Sequence, residues 1–194
     1  MSQTKPAQVD EPRADPDLVA VRAAQDDRAA FAVLYRRYLD RVYGYAFYQL
    51  GDHHDAEDAT ERTFLAALAA LPEFRDTGST LRAWLFRIAH NTIANAHRTR
   101  ARRPTVALPE AWDRPAPDAD PARLVGRGEE LREVLRLIDQ LPEDRRQVVL
   151  LRFVDELTSR EIGIVLDRSE GAVRVLLHRA LRELAARVAE DRLA

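Results

Sequence analysis

Five prolines fall between Pro104 and Pro121, and on both sides of that stretch apolar residues recur at steps of three and four. Proline fixes φ and removes a backbone donor, so such a cluster interrupts any helix. The flanks read as helical, because one apolar stripe with a 3.6-residue period is what a helix needs to bury a face. Strand-like alternation is absent from the sequence. The expected fold class is therefore all-α, with two small helical domains joined by a flexible, acidic linker, PTVALPEAWDRPAPDADPA. The expected boundaries are a disordered tail over 1–16, a first domain over 17–103, a linker over 104–121 and a second domain over 122–190.

In the first domain Phe31, Leu34, Tyr35, Tyr38, Val42, Tyr45, Ala46 and Leu50 make one apolar stripe. Gly51 ends that helix and Asp52 is placed to cap the next, which turns Ala56, Ala59, Thr63, Phe64, Ala67, Leu68 and Leu71 inward. The loop FRDTGST leads to a third helix that buries Leu81, Trp84, Leu85, Ile88, Ala89 and Ile93. The second domain reads as helices over about Ala122–Gln140 and Glu143–Val154, followed by two more. Thr158 and Glu161 form a capping box for a helix ending at Leu166, and Ser169 caps the last helix, which runs to about Ala189. Val173, Leu176 or Leu177, Ala180, Leu181 and Leu184 are its expected inward face.

The net charge is −2, and among 30 basic residues only Lys5 is a lysine. Arginine's planar fork suits phosphates and base edges, although an Arg-rich genome gives the same bias. A chain that binds DNA unaided is usually basic overall, so DNA binding here needs local basic patches, a helper, or both. The absence of cysteine excludes disulfides, thiolate zinc sites and cysteine nucleophiles. The start, MSQTKPAQVDEPRADPD, lacks the apolar stretch of a secretory signal, and no apolar run approaches the roughly 18 residues that span a bilayer. A cytoplasmic protein without membrane insertion is expected.

Three constellations carry chemistry. In LTSREIGIVLDRSEGAVRVLLHRALREL a short helix, a tight turn and a longer helix have the spacing of a helix-turn-helix over about 158–181. Its second helix would enter a major groove, with Arg174, His178, Arg179 and Arg182 projecting toward phosphates and base edges. From Arg82 to Arg103 there are six Arg, two His and no acid. Arg87, His90, Asn91 and Arg98 share the face opposite Trp84 and Ile88, and the preceding loop brings Phe74, Arg75, Ser79 and Thr80 near its start. Aromatic and short polar groups beside a cationic face suit unstacked bases, with a plain solvated face as the alternative. The third constellation is GDHHDAEDATERTF, in which His53 with Glu57, and His54 with Asp58, stand four apart. Acids are favoured at a helix start by about 0.3–1 kcal/mol each without any ion. A metal would need a third ligand that has no obvious source, so no metal is expected there. Spacing alone leaves the stretch as a solvated face or a docking surface for a basic partner.

DAEDATERTF, LPEFR and STLRAWLFRIAHNTIANAHR resemble region 2 of sigma-70 family RNA polymerase sigma factors. LPEDRRQVVLLRFVDELTSREI and SEGAVRVLLHRAL resemble region 4, and the two-region layout is similar to the extracytoplasmic-function (ECF) type. The resemblance covers about Asp26–Arg103 and Glu129–Arg187. It implies a non-enzymatic factor that binds core RNA polymerase and directs promoter-specific initiation through −10 and −35 DNA elements. Asp55, Glu57, Asp58, Glu61 and Phe64 would meet the clamp helices of the largest catalytic subunit. Phe74, Arg75, Ser79, Thr80, Arg87, His90, Asn91 and Arg98 would serve the −10 element, and Arg174, His178, Arg179 and Arg182 the −35 element. It also implies a linker that threads toward the RNA channel and a restraining anti-sigma protein. Glu61-Arg62 replaces the usual Gln-Glu, Val175-Leu176 replaces a common Ser-Arg, and Asp167 stands where Gly is usual. The alternative reading is a stand-alone helix-turn-helix regulator binding operators as a dimer.

Overall fold

The computed structural model describes residues 15–76, 79–102, 136–153 and 156–191. The expected linker, and the expected helix from Ala122 up to residue 135, lie outside the described residues; residues 136–139 are helical. The first domain comprises α1 (Leu18–Asp26), α2 (Phe31–Leu50), α3 (His53–Ala70) and α4 (Leu81–Arg102). The second contains α5 (Glu143–Phe153), α6 (Ser159–Leu166) and α7 (Glu170–Asp191). Among the described residues there is no strand.

The helix ends follow local chemistry. Gly51 adopts φ 71°, which glycine tolerates without a Cβ penalty, and its N–H closes α2 on the Phe47 carbonyl at 2.8 Å. The Asp52 carboxylate accepts the Asp55 N–H at 2.9 Å and starts α3. Both halves of the capping box on α6 form: Glu161 N–H donates to Thr158 Oγ1 at 3.2 Å, and Thr158 N–H donates to the Glu161 carboxylate at 2.8 Å. Ser169 Oγ accepts the Ala172 N–H at 3.2 Å and starts α7.

Helices α2, α3 and α4 pack around Leu34, Val42, Tyr45, Ala56, Ala59, Phe64, Ala67, Leu85, Phe86 and Ala89, all buried. Tyr45 meets Phe86 edge to face with ring centroids 5.6 Å apart. Each large apolar side chain so buried stabilises by roughly 1.5–3 kcal/mol. Small alanines on α3 let the three helices approach closely. In the second domain Val148, Leu150, Leu151, Ile162, Val165, Val173, Leu176, Leu177 and Ala180 are buried between α5, α6 and α7. Helix α6 also packs on α4, so the two cores join into one cluster.

Four details differ from expectation. Helix α1 is an added element, buried through Val21 and Ala24. Asp15, assigned to the tail, is only 6 % exposed and accepts hydrogen bonds from the N–H groups of Asp17 and Leu81. Tyr35 is 39 % exposed because a groove opens beside it between α2 and α3. Leu181 is 46 % exposed, since at 100° per residue it lies about 80° round the helix from Val173, at the edge of the buried stripe.

Candidate functional site

Helices α2 and α3 form an open groove of roughly 390 Å³, walled by Phe31, Tyr35, Leu39, Tyr43, Phe64 and Leu65 and edged by Glu57 and Glu61. Glu57 and Glu61 are exposed one turn apart, and Leu65, another turn on, is 59 % exposed. An apolar trough with a carboxylate rim suits a helix that carries both apolar and basic side chains. Phe64 is buried, 5 % exposed, and packs edge-on against Phe31 and Tyr35. It shapes the floor rather than the rim. Asp55 and Asp58 are half-buried, and Asp58 pairs with Arg62 at 3.3 Å. That exposed pair contributes little to stability, but it places a cation beside the rim.

In the same stretch His53 is held by two aromatic neighbours. His53 Nδ1 shares a hydrogen bond of 2.6 Å with the Tyr43 hydroxyl, and its ring lies 4.4 Å from that of Phe47. Among the described residues no group of three metal-ligating side chains converges.

The loop before α4 is anchored from behind. Gln25 of α1 donates through Nε2 to the carbonyls of Leu71 and Phe74 at 2.9 and 3.0 Å. Arg75 folds its guanidinium onto the carbonyls of Pro72 and Phe74. Phe74 is 6 % exposed and packs on Trp84 with ring centroids 5.1 Å apart, so in this conformation it is covered. Arg87, Asn91 and Arg98 are all exposed on one face of α4. His90 departs from that group: it is half-buried, hydrogen-bonded through Nδ1 to Tyr45 at 3.0 Å, and borders a cavity with Glu143 and Gln147 of α5. Burial pushes its imidazole below the usual value, against the pull of Glu143. Ser79 and Thr80 are half-buried, and Thr80 donates to Glu161 of α6 at 2.5 Å.

On α7, Arg174, His178, Arg179 and Arg182 are exposed on successive turns. Arg174 pairs with Glu170, one turn earlier; the Arg174 side chain is 67 % exposed and that of Glu170 40 %. A pair this open to solvent contributes little to stability, so a phosphate or guanine edge can compete for Arg174. Val175 is 49 % exposed beside these arginines, while Leu176 is buried. The helix is held against α5 by Glu183, which accepts from Arg145 and, at 2.9 Å, from Arg187. Gln25, Asp15 and the Thr80–Glu161 contact were not foreseen; single polar residues carry no periodicity that announces a long-range partner.

Comparison with known proteins matches residues 34–103 to the family model described as Sigma-70 region 2 and residues 131–184 to that of Sigma-70, region 4. The chain is 34% identical over 178 residues to the ECF RNA polymerase sigma factor SigE of Mycolicibacterium smegmatis, covering 90% of this chain and 68% of that one. It is 31% identical to the ECF RNA polymerase sigma factor SigD of Mycobacterium tuberculosis, over 87% and 81% of the two chains. Among solved structures, CnrH in complex with the cytosolic domain of CnrY superposes with a TM-score of 0.64 at 28% identity, covering 92% of this chain and 99% of that one. The sigma factor RpoE of Bartonella quintana, solved with the anti-sigma factor NepR, shares the fold with a TM-score of 0.61 at 21% identity, over 79% and 93%.

Proposed function

The chain belongs to the sigma-70 family of RNA polymerase sigma factors, of the ECF type, and from that premise we infer how its surfaces divide the work of initiation. It binds core RNA polymerase and directs transcription from specific promoters. The groove between α2 and α3 receives the clamp helices of the largest subunit: Glu57 and Glu61 pair with basic partner residues, Leu65 and Tyr35 pack, and Asp55 and Asp58 extend the acidic edge. Phe64 supports this surface from below. The loop with Phe74, Arg75, Ser79 and Thr80, together with Arg87, Asn91 and Arg98, takes the −10 element, and His90 lines the edge of that face. Arg174, His178, Arg179 and Arg182 read the −35 element.

The observation that carries this reading is the segregation of charge in a molecule of net charge −2. An acidic, apolar groove lies on α3, and exposed arginines occupy α4 and α7. The chain supplies contacts and no bond chemistry of its own, and it works in the cytoplasm with the polymerase. Among the described residues no helix is long and apolar enough to cross a membrane. An anti-sigma protein restrains it, as relatives solved with NepR and with the cytosolic domain of CnrY suggest. A stand-alone regulator is not favoured, because it leaves the region 2 match without a role. Core polymerase supplied with this chain and a genome-wide promoter pool should yield transcripts with discrete starts; no start above core alone would overturn the reading.

A further inference from the structure

Helix α7 presents one large apolar side chain among its arginines. At about 100° per residue, Arg174, His178, Arg182, Val175 and Arg179 follow one another round about 140° of its exposed arc. Val175 stands inside that arc and is 49 % exposed. Among the described residues of α7, the other exposed large apolar side chains, Leu181 and Val188, fall outside the arc and further along the helix. Leu176, the second member of the pair that departs from the common Ser-Arg, is buried in the core, so only Val175 alters the surface.

A lone exposed valine is ordinary on a protein surface. The surroundings distinguish this one. Residues near the start of a recognition helix are those that reach base edges, and Val175 lies in the second turn of α7, which begins at Glu170. One turn before it stands Gly171, exposed, where an added Cβ would meet nothing within 4 Å. Glycine is disfavoured in a helix, and no packing within the described chain calls for it here. A helical Cα–Cβ bond tilts toward the N-terminus, so Val175 leans toward this bare backbone. The result is an uncharged step, open to a closely approaching surface and flanked by guanidinium groups that draw a polyanion onto it.

In the major groove a base pair offers hydrogen-bonding atoms and, at thymine alone, an apolar group, the C5-methyl. A valine side chain has no donor or acceptor, so the methyl is the one feature of a base edge that it can read. We propose that Val175 is a specificity residue of the −35 reader, packing on the C5-methyl of a thymine while Arg174 and Arg179 on either side hold phosphates or guanine edges. The proposal rests on the reading that α7 meets the −35 element. It gives that element a preferred thymine beneath the second turn of α7. Any other base there sets the valine against a polar edge, whose hydrogen-bonding atoms lose water without gaining a partner.

The test uses the full chain on core polymerase and a promoter drawn from the genome-wide pool. Each thymine of the −35 region, on either strand, is replaced singly by deoxyuridine, which removes the methyl and keeps every hydrogen-bonding atom. Affinity of the assembled enzyme should fall about fourfold at the thymine that Val175 meets, the effect of one buried methyl group worth about 0.8 kcal/mol. With Val175→Ser, which removes both valine methyls, the thymine and deoxyuridine promoters should bind equally. The comparison in the parent chain stands by itself, so the test does not depend on how that variant folds. No sensitive thymine in the parent, or the same deoxyuridine penalty in Val175→Ser, would overturn the proposal. Scrambling the −35 region separates the two readings. Selection that survives scrambling defeats the −35 assignment and the proposal with it, whereas selection lost on scrambling but indifferent to deoxyuridine defeats the valine contact alone.

Discussion

The carboxylate of Asp15 accepts the main-chain N–H of Leu81, a residue 66 positions further along and the first of α4. The segment entering the first domain therefore caps the helix that carries Arg87 and Asn91. Asp17, two residues on, is 2 % exposed and accepts from Arg37 and from the Tyr38 hydroxyl. Burial, and then the bond to Asp17, push the Tyr38 phenol well above its ordinary value.

Asp15→Ala leaves a buried N–H without its acceptor, a loss of about 1–3 kcal/mol. Urea unfolding should show a lower midpoint at an unchanged slope, with Asp15→Asn losing less because it keeps one oxygen acceptor. An unchanged midpoint would mean that another group takes over the cap.

Gly163 faces the turn of the helix-turn-helix, where an added Cβ would stand 2.5 Å from the Arg168 carbonyl oxygen. That neighbour is backbone and cannot rotate away. Gly163→Ala should cost about 1–3 kcal/mol by overpacking and reduce −35-dependent selection by shifting α7 relative to α6. Full stability by thermal unfolding would contradict this packing.

The contacts of Glu161 with Thr80, Arg82 and Thr158 also fix a pH dependence. Burial alone would raise the Glu161 carboxyl, but bonds from Thr80, Thr158 and Arg82, with the charge of Arg82, outweigh it and hold the group below its ordinary value of 4.5. A carboxyl depressed in the folded state contributes stability that is present above its unfolded value and lost as pH falls through the folded one. The contribution of Glu161 to stability should therefore be constant near neutrality and be lost below its ordinary value of 4.5. Thermal unfolding followed against pH checks this; Glu161→Gln should flatten the acid limb. A limb that persists unchanged in that variant would assign the titration to another group.

Features that repeat along the chain were legible in its sequence. The apolar stripes of α2, α3 and α4, the Gly51 stop, the Asp52 cap and the Thr158–Glu161 box each follow from local spacing and appear in the structure. Asp167, standing where Gly is usual, holds φ 53° and ψ 50° at the end of α6, a left-handed conformation that Asp accepts better than most residues. Long-range polar contacts were not legible. Glu161 reads as a capping residue, and nothing in its neighbours tells that the same oxygens reach Thr80 and Arg82. Phe64 and Phe74 read as contact residues because an aromatic near a charged stretch fits a surface or a core equally well. Their burial, at 5 % and 6 %, is decided by Tyr35 and Trp84, which lie elsewhere in the sequence.

We propose that the acidic rim of α3 grips the polymerase, while DNA is met only through the assembled enzyme. The deciding measurement is the affinity of the full chain for core polymerase with Glu57 and Glu61 both changed to Arg, read beside binding of the isolated chain to −35 duplex. Loss of core affinity by about tenfold or more, roughly 1.4 kcal/mol, with helicity retained and weak duplex binding throughout, is the predicted result. Unchanged core affinity together with tight duplex binding by the chain alone would contradict it.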